Sequence, residues 1–447
     1  MIRTLLAALL ASIALVAPAS AQAPLERRAN EAAGIISEKP SWPKGLFHAS
    51  FSAQVSDAQL IAIGSQFFSK CGAVKAVQRA SSKGPNLATF DLITEKGLVV
   101  PMTIGIQDKA PNEVSTLFFG APVPMLKTVE EAAKALAKLG GQMSFGVWRL
   151  GEGDPEPLVT IEPDLPLAIG SAFKLYLLGT LADDVKAGRR KLSETATLGP
   201  ATRSWPSGQL QDWPDGAPVT LDTAANLMIS VSDNTATDLL LSTLGRARVE
   251  AMLPTMGMKN PARNRPFLGT GEMFRLKFID GGKAGEAYAA LDEAGRRAFL
   301  ENGLPKTELT RDALDPSAFG GPNRIDSIEW FASASDLCRA MEWLRRNTEG
   351  APGSNACLLR GALAISRGLD ISTTQFPWAG FKGGSEPGVL NLSFLLKRAD
   401  GTWFAVVATW NDPDEALDEQ ALMPIVQRTI WLIGQGAAKP GDADAKP

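Results

Sequence analysis

Ile169-Gly170-Ser171-Ala172-Phe173-Lys174 opens a long apolar run, Leu175-Tyr176-Leu177-Leu178-Gly179-Thr180-Leu181. The run reads as a buried helix that ends at Lys186-Ala187-Gly188, with glycine at its C-terminal cap. Positions i and i+3 share a helix face, so the Lys174 amine is expected to reach the Ser171 hydroxyl. Ser171 falls in the first turn, where the helix dipole favours developing negative charge. A free serine is a poor nucleophile and needs a base beside it. Lysine becomes one when burial and a neighbouring cation lower its pKa. Alone, Ser-x-x-Lys is a spacing found on many helices and decides nothing.

Two further stretches give it weight. Ser232-Asp233-Asn234 begins 61 residues after Ser171, and Lys382-Gly383-Gly384-Ser385 begins 211 residues after it. Ser-x-x-Lys, Ser-Asp-Asn and Lys-Thr-Gly form the signature set of class A β-lactamases and penicillin-binding proteins. Residues from about Thr128 to Gly434 resemble that family, with the motifs in the family's order. The resemblance implies an α/β (α+β) three-layer fold, a five-stranded antiparallel sheet between helices. It implies acyl transfer through Ser171, with Lys174 as base and Ser232 as proton relay to the leaving group. Asn234 would orient the Lys174 amine and a substrate carbonyl. Lys382 would bind a substrate carboxylate and help keep Lys174 neutral. Backbone amides of Ser171 and Ser385 would form the oxyanion hole, with Gly383 and Gly384 letting backbone approach the ligand. Trp205, in the Pro/Gly/Trp-rich loop 199–218, is the candidate for stacking on substrate, with packing over the core an equal reading. Asp233 reads as a helix N-cap.

The sequence departs from the family in two places. Gly383 stands where the family has a hydroxyl residue, and Ser385 is the candidate to compensate. The Glu-x-x-Leu-Asn loop, whose glutamate activates the deacylating water in class A enzymes, has no counterpart between Pro254 and Ala332. Glu272, Glu308, Asp312 and Asp315 are the candidate carboxylates, each reading more readily as a solvated charge.

Composition narrows the chemistry independently. The 447 residues contain one histidine, His48, far upstream of the apolar helix, so a Ser-His-Asp triad is not supported. One histidine and three scattered cysteines make no zinc cluster, and no metal or cofactor is expected. Cys338 and Cys357 can pair only if geometry and compartment allow; the favoured reading is that both, with Cys71, are small buried residues. A net charge of −3 with no basic stripe excludes nucleic acid as the expected partner.

Met1-Ile2-Arg3, an apolar core from Leu5 to Val16 and Ala19-Ser20-Ala21 read as a secretory signal peptide cleaved after Ala21. The mature protein is therefore expected to be exported, periplasmic or secreted, without stable membrane insertion. Residues 22–41 read as a linker or short helix. Residues 42–124 pattern as a small α+β domain, cystatin-like or nuclear-transport-factor-like, with an amphipathic helix from Asp57 to Lys70 and short strands. Residues 125–436 form the hydrolase domain and 437–447 a disordered tail. The expectation is a monomeric serine hydrolase acting on a small molecule, a β-lactam or an ester. The alternatives are an esterase or slow penicillin-binding-type acylase, and a non-catalytic sensor of β-lactam or peptidoglycan.

Overall fold

The computed structural model describes residues 23–304, 309 and 320–436. The signal peptide and tail expected from the sequence, with Glu308, Asp312 and Asp315, lie outside these residues. The chain divides into two compact units, one formed largely by residues up to Gly120 and one by residues from Ala121 onward.

In the first unit, the stretch read as a linker or short helix holds helix α1 (Pro24–Ala33), whose Leu25, Ala29 and Ala32 are buried. Small side chains let the helix lie close to its neighbours. Arg28 fastens it, donating from Nε to the Asn112 carbonyl at 3.0 Å and from Nη2 to the Pro111 carbonyl at 2.7 Å. Helix α2 (Asp57–Cys71) starts at a Ser56/Gln59 capping box and stops at Gly72, whose φ of +76° suits glycine. Strands β1 (Val74–Gly84), β2 (Leu87–Thr94), β3 (Leu98–Ile106) and β4 (Val114–Phe119) neighbour one another in chain order. His48 caps a short helical turn, its Nδ1 accepting from the Ser50 amide at 3.2 Å.

The second unit opens with α3 (Val129–Leu136), capped by Thr128, then β5 (Gln142–Leu150) and β6 (Glu156–Ile161). A short strand β7 (Leu167–Ala168) leads through a 3₁₀ turn, Gly170–Phe173, into α4 (Lys174–Lys186). Helices α5 (Leu221–Ser230), α6 (Asn234–Leu244) and α7 (Arg246–Thr255) follow, then α8 (Thr270–Phe278), α9 (Lys283–Ala289) and α10 (Glu293–Asn302). Trp330 to Leu344 is divided between a strand and a helix. Strand β8 (Phe331–Ala332) pairs with β7, and α11 (Ala334–Asn347) begins only after Ser333, whose capping box with Asp336 is the stronger start signal. Helix α12 (Asn355–Ala364) precedes three strands, β9 (Trp378–Glu386), β10 (Val389–Lys397) and β11 (Trp403–Asn411), and the closing helix α13 (Glu419–Gly434).

The main sheet has five strands in the order β9-β10-β11-β5-β6, all antiparallel. Side chains of a strand alternate between faces, and both faces here are apolar. Ala405 and Val407 join the core beneath α4 to α8 and α11. Phe404, Val406 and Ala408 join a second core beneath α3 and α13. The sheet is therefore covered by helices on both faces, the fold expected from the motifs. Within the described residues no helix is long and apolar enough to cross a membrane. The three cysteines are free, with Cys71 and Cys338 buried.

The turn that carries Ser171 is held by aromatic packing. Phe173 is 1 % exposed, stacks on Trp330 at 3.7 Å and meets Phe267 edge-on at 5.7 Å. Truncating so buried a ring leaves a cavity beneath the turn, and Phe173→Ala is expected to lower unfolding stability by about 3–5 kcal/mol, read as a lower urea midpoint.

Candidate active site

Three backbone segments converge on one cleft of about 390 Å³. The 3₁₀ turn supplies Ser171, the connection between α5 and α6 supplies Ser232, and β9 supplies Lys382 to Ser385. β9 is the edge strand, so one side of its backbone is free of sheet partners. Two glycines allow the strand to touch the turn. A Cβ on Gly384 would lie 2.2 Å from the Ile169 carbonyl oxygen and 2.5 Å from the Ser171 nitrogen. Gly170, at φ +48°, would place a Cβ 3.1 Å from the Ser385 nitrogen. The amides of Ser171 and Ser385 thus belong to two segments in backbone contact, an arrangement suited to binding an oxyanion.

Lys174 is fully buried at the start of α4. Its Nζ donates to the Ser232 carbonyl and to Asn234 Oδ1, both at 2.7 Å, and lies 3.1 Å from Ser232 Oγ. The direct Lys174–Ser171 hydrogen bond expected from i,i+3 spacing is not among those of the described residues. The reason is local: the chain is 3₁₀ at Ser171 and becomes α-helical only at Lys174. Burial, then repulsion from Lys382, holds the Lys174 pKa well below that of an ordinary lysine; Asp233 and Asp238 oppose the shift. A neutral amine has two N–H groups, which match the two 2.7 Å acceptors. Its lone pair is then left for a hydroxyl proton, from Ser232 or, once substrate tightens the site, from Ser171.

Ser232 has φ +56°, an uncommon conformation for a serine. Its hydroxyl lies between two amines: Lys382 Nζ also lies 3.1 Å from Ser232 Oγ and donates to the Gly383 carbonyl at 2.6 Å. Burial pushes Lys382 down to about 7. Asp233 does what an N-cap does, accepting from the Ala236 amide at 2.8 Å, and also from the amides of Gln209 and Leu210 at 2.7 and 2.9 Å. Asn234 donates from Nδ2 to the Trp205 carbonyl at 2.9 Å. Trp205 itself does not line the cleft. It is half-buried and packs against the core, and its carbonyl is what reaches Asn234.

The candidate acid Glu272 is taken up structurally. It pairs with Arg246 at 2.6 Å and accepts from the Gly269 amide at 2.7 Å. Two contributors were not read from the sequence. Ser207 donates to the Ser232 carbonyl at 2.7 Å, from an irregular loop with no periodicity to flag it. Asp238 accepts from the Thr270 and Gly271 amides at 2.6 and 2.7 Å, and the Thr270 hydroxyl lies 3.2 Å from the Asn234 carbonyl. Burial raises Asp238 to about 6. Its one signal was its place one helical turn after Asn234.

Comparison with solved structures finds similar chains. A β-lactamase from Sphaerobacter thermophilus DSM 20745 is 22% identical, the alignment covering 70% of this chain and 98% of that one, with a TM-score of 0.46. A β-lactamase from Chitinophaga pinensis DSM 2588 is 15% identical, with coverages of 69% and 98% and a TM-score of 0.47. The structure of PBP-A is 16% identical, with coverages of 69% and 94% and a TM-score of 0.45. No curated protein matches the sequence. The model of the β-lactamase enzyme family matches residues 127–363, more than half of the 447, and the chain belongs to that family.

Proposed function

We propose that this protein is an exported acyl hydrolase that opens the amide bond of β-lactams through an ester on Ser171. The observation that carries the reading is Lys174: a buried amine with lowered pKa, bonded to Ser232 and Asn234 beside the serine it would activate. Lys174 takes the Ser171 proton and Ser171 attacks the carbonyl. The amides of Ser171 and Ser385 hold the oxyanion, and Ser232 protonates the leaving nitrogen. Water then releases the product. Export rests on the N-terminal sequence pattern alone.

A second reading, an esterase or a slow penicillin-binding-type acylase, draws support from two observations. Gly383 offers no hydroxyl to a substrate carboxylate, and Glu272 is held by Arg246. An intact-mass time course with a penicillin and a cephalosporin separates the two, with Ser171→Ala as control. A transient adduct with drug consumption supports the β-lactamase reading; a persistent adduct supports the acylase. No adduct and no drug loss overturns both β-lactam readings and leaves esters.

Lys382 adds a pH prediction. Its charge is lost as pH rises through about 7. For a substrate bearing a carboxylate, the half-saturating concentration is expected to rise about tenfold between pH 6 and pH 8, following the protonated fraction. A neutral ester should show no such rise; equal behaviour of the two would remove Lys382 as the carboxylate anchor.

A further inference from the structure

A buried cluster outside the cleft touches both halves of the oxyanion site. Lys277, near the end of α8, is fully buried. Its Nζ donates to Glu329 Oε1 at 3.1 Å and to Glu386 Oε1 at 2.5 Å. Glu386 is the last residue of β9 and is joined by one peptide bond to Ser385. Glu329 accepts from the Trp330 amide at 3.1 Å through its other oxygen. Trp330 in turn holds the nucleophile turn: its carbonyl accepts from the Ile169 amide at 3.0 Å and its ring stacks on Phe173. The other end of α8 is tied as well, through Thr270 to Asp238 and the Asn234 carbonyl. One helix is therefore linked, directly or through Glu329 and Trp330, to the segments that carry Ser171, Asn234 and Ser385.

We propose that Lys277, Glu329 and Glu386 form a positioning cluster for the acyl-transfer site, in which one buried ammonium sets the spacing between the Ser171 and Ser385 amides. The proposal rests on the acyl-transfer reading above. None of the three touches substrate; Glu386 acts through Ser385, and Glu329 through Trp330 and the turn. The charges fit that role. Burial, then the charge of Glu329, raises the Glu386 carboxyl well above the usual range, while Lys277 opposes the shift. The raised carboxyl favours the protonated form of Glu386, which can hydrogen-bond to Glu329. A neutral amide is a close mimic of that acid. A bond between an amide and a developing oxyanion is sensitive to misplacement on the order of 1 Å, so loosening the cluster should cost rate and not substrate affinity.

The test uses the full-length mature protein, a chromogenic cephalosporin and a neutral p-nitrophenyl ester. The acylation rate constant at saturation and the half-saturating concentration are measured separately. Glu386→Ala is expected to lower the rate constant about 30- to 100-fold. The half-saturating concentration should stay within about threefold, and Glu386→Gln should restore the rate to within about threefold of wild type. A folded Glu386→Ala with the wild-type rate constant overturns the proposal. So does a Gln variant as slow as the Ala variant, which would mean that the acid itself is required. If the alanine variant does not fold, Glu386→Asp decides: it retracts the acid by one methylene, an expected loss of about tenfold, and a wild-type rate overturns the cluster's role. Failure of the wild type to acylate with any probe overturns the acyl-transfer reading and the cluster's role together, and is distinct from a variant-specific result.

Discussion

Replacing Lys174 by methionine is expected to slow acylation of Ser171 about 10³-fold, within the range of general-base contributions, while leaving the protein folded. The expectation follows from what the side chain touches. Methionine fills the buried volume that the lysine stem occupies, and no buried amine remains to be desolvated. The Ser232 carbonyl keeps a donor, because Ser207 Oγ bonds to it at 2.7 Å. Only Asn234 Oδ1 loses its partner, a cost of about 1–3 kcal/mol. Activity and stability should therefore separate. Lys174→Arg sharpens the test: a guanidinium keeps the positive charge and cannot give up its proton. If Lys174 acts as a base, both variants lose acylation; if it acts as a cation, arginine retains part of it. The sign of the pH dependence is fixed as well. Lys174 must be neutral to accept a proton, so wild-type acylation should fall as pH drops through its lowered pKa. That acid limb should be absent in the methionine variant. A methionine variant with an unchanged acylation rate would pass the base to another group, with the Ser232 hydroxyl and its second partner Lys382 the first to examine.

The parts of this site that were legible in the sequence sit where regular structure meets a turn. Ser171 and Lys174 open an apolar helix, Ser232-Asp233-Asn234 separates two helices, and Lys382 to Ser385 ends an apolar strand. Each motif carries its own local signal, and their order along the chain did the rest. Contacts between distant polar residues left no such trace. Asn411 clasps Ala168 with hydrogen bonds of 2.8 and 3.0 Å, joining the end of β11 to the strand before Ser171. Lys277, Glu329 and Glu386 are separated by 52 and 57 residues and read singly as solvated charges. Polar pairing has no period, so nothing in the chain announces it. The same limit explains α1 and Trp205. An Ala-rich stretch reads equally as linker or packed helix until its partner is in place. A loop tryptophan reads equally as platform or packing, and only the folded chain shows Trp205 packed half-buried against the core.

Gly384→Ala is expected to cost about 10²- to 10³-fold in acylation, the range for losing one oxyanion donor. The added Cβ would meet the Ile169 oxygen at 2.2 Å, the Ser171 nitrogen at 2.5 Å and the Gly170 carbonyl carbon at 2.8 Å. All three are backbone atoms, so no side-chain rotation relieves the overlap. Turn and strand must part by about 1 Å, enough to spoil the alignment of an amide with a developing oxyanion. Stability should fall too, by about 1–3 kcal/mol, as in other overpacked sites. The neighbouring glycine is the control. At Gly383 the nearest atom to a new Cβ is the Phe381 Cζ, at 2.7 Å, the far end of a side chain that can turn aside. Gly383→Ala should therefore acylate within about tenfold of wild type. Distant Gly151 has nothing within 4 Å of a new Cβ, and Gly151→Ala should leave the rate unchanged. The three acylation rate constants, with urea midpoints to correct for stability, decide the matter. If Gly384→Ala acylates like Gly151→Ala, the amides of Ser171 and Ser385 are not the oxyanion hole. If it fails while Gly383→Ala holds, the close approach of strand and turn is what makes Ser171 reactive.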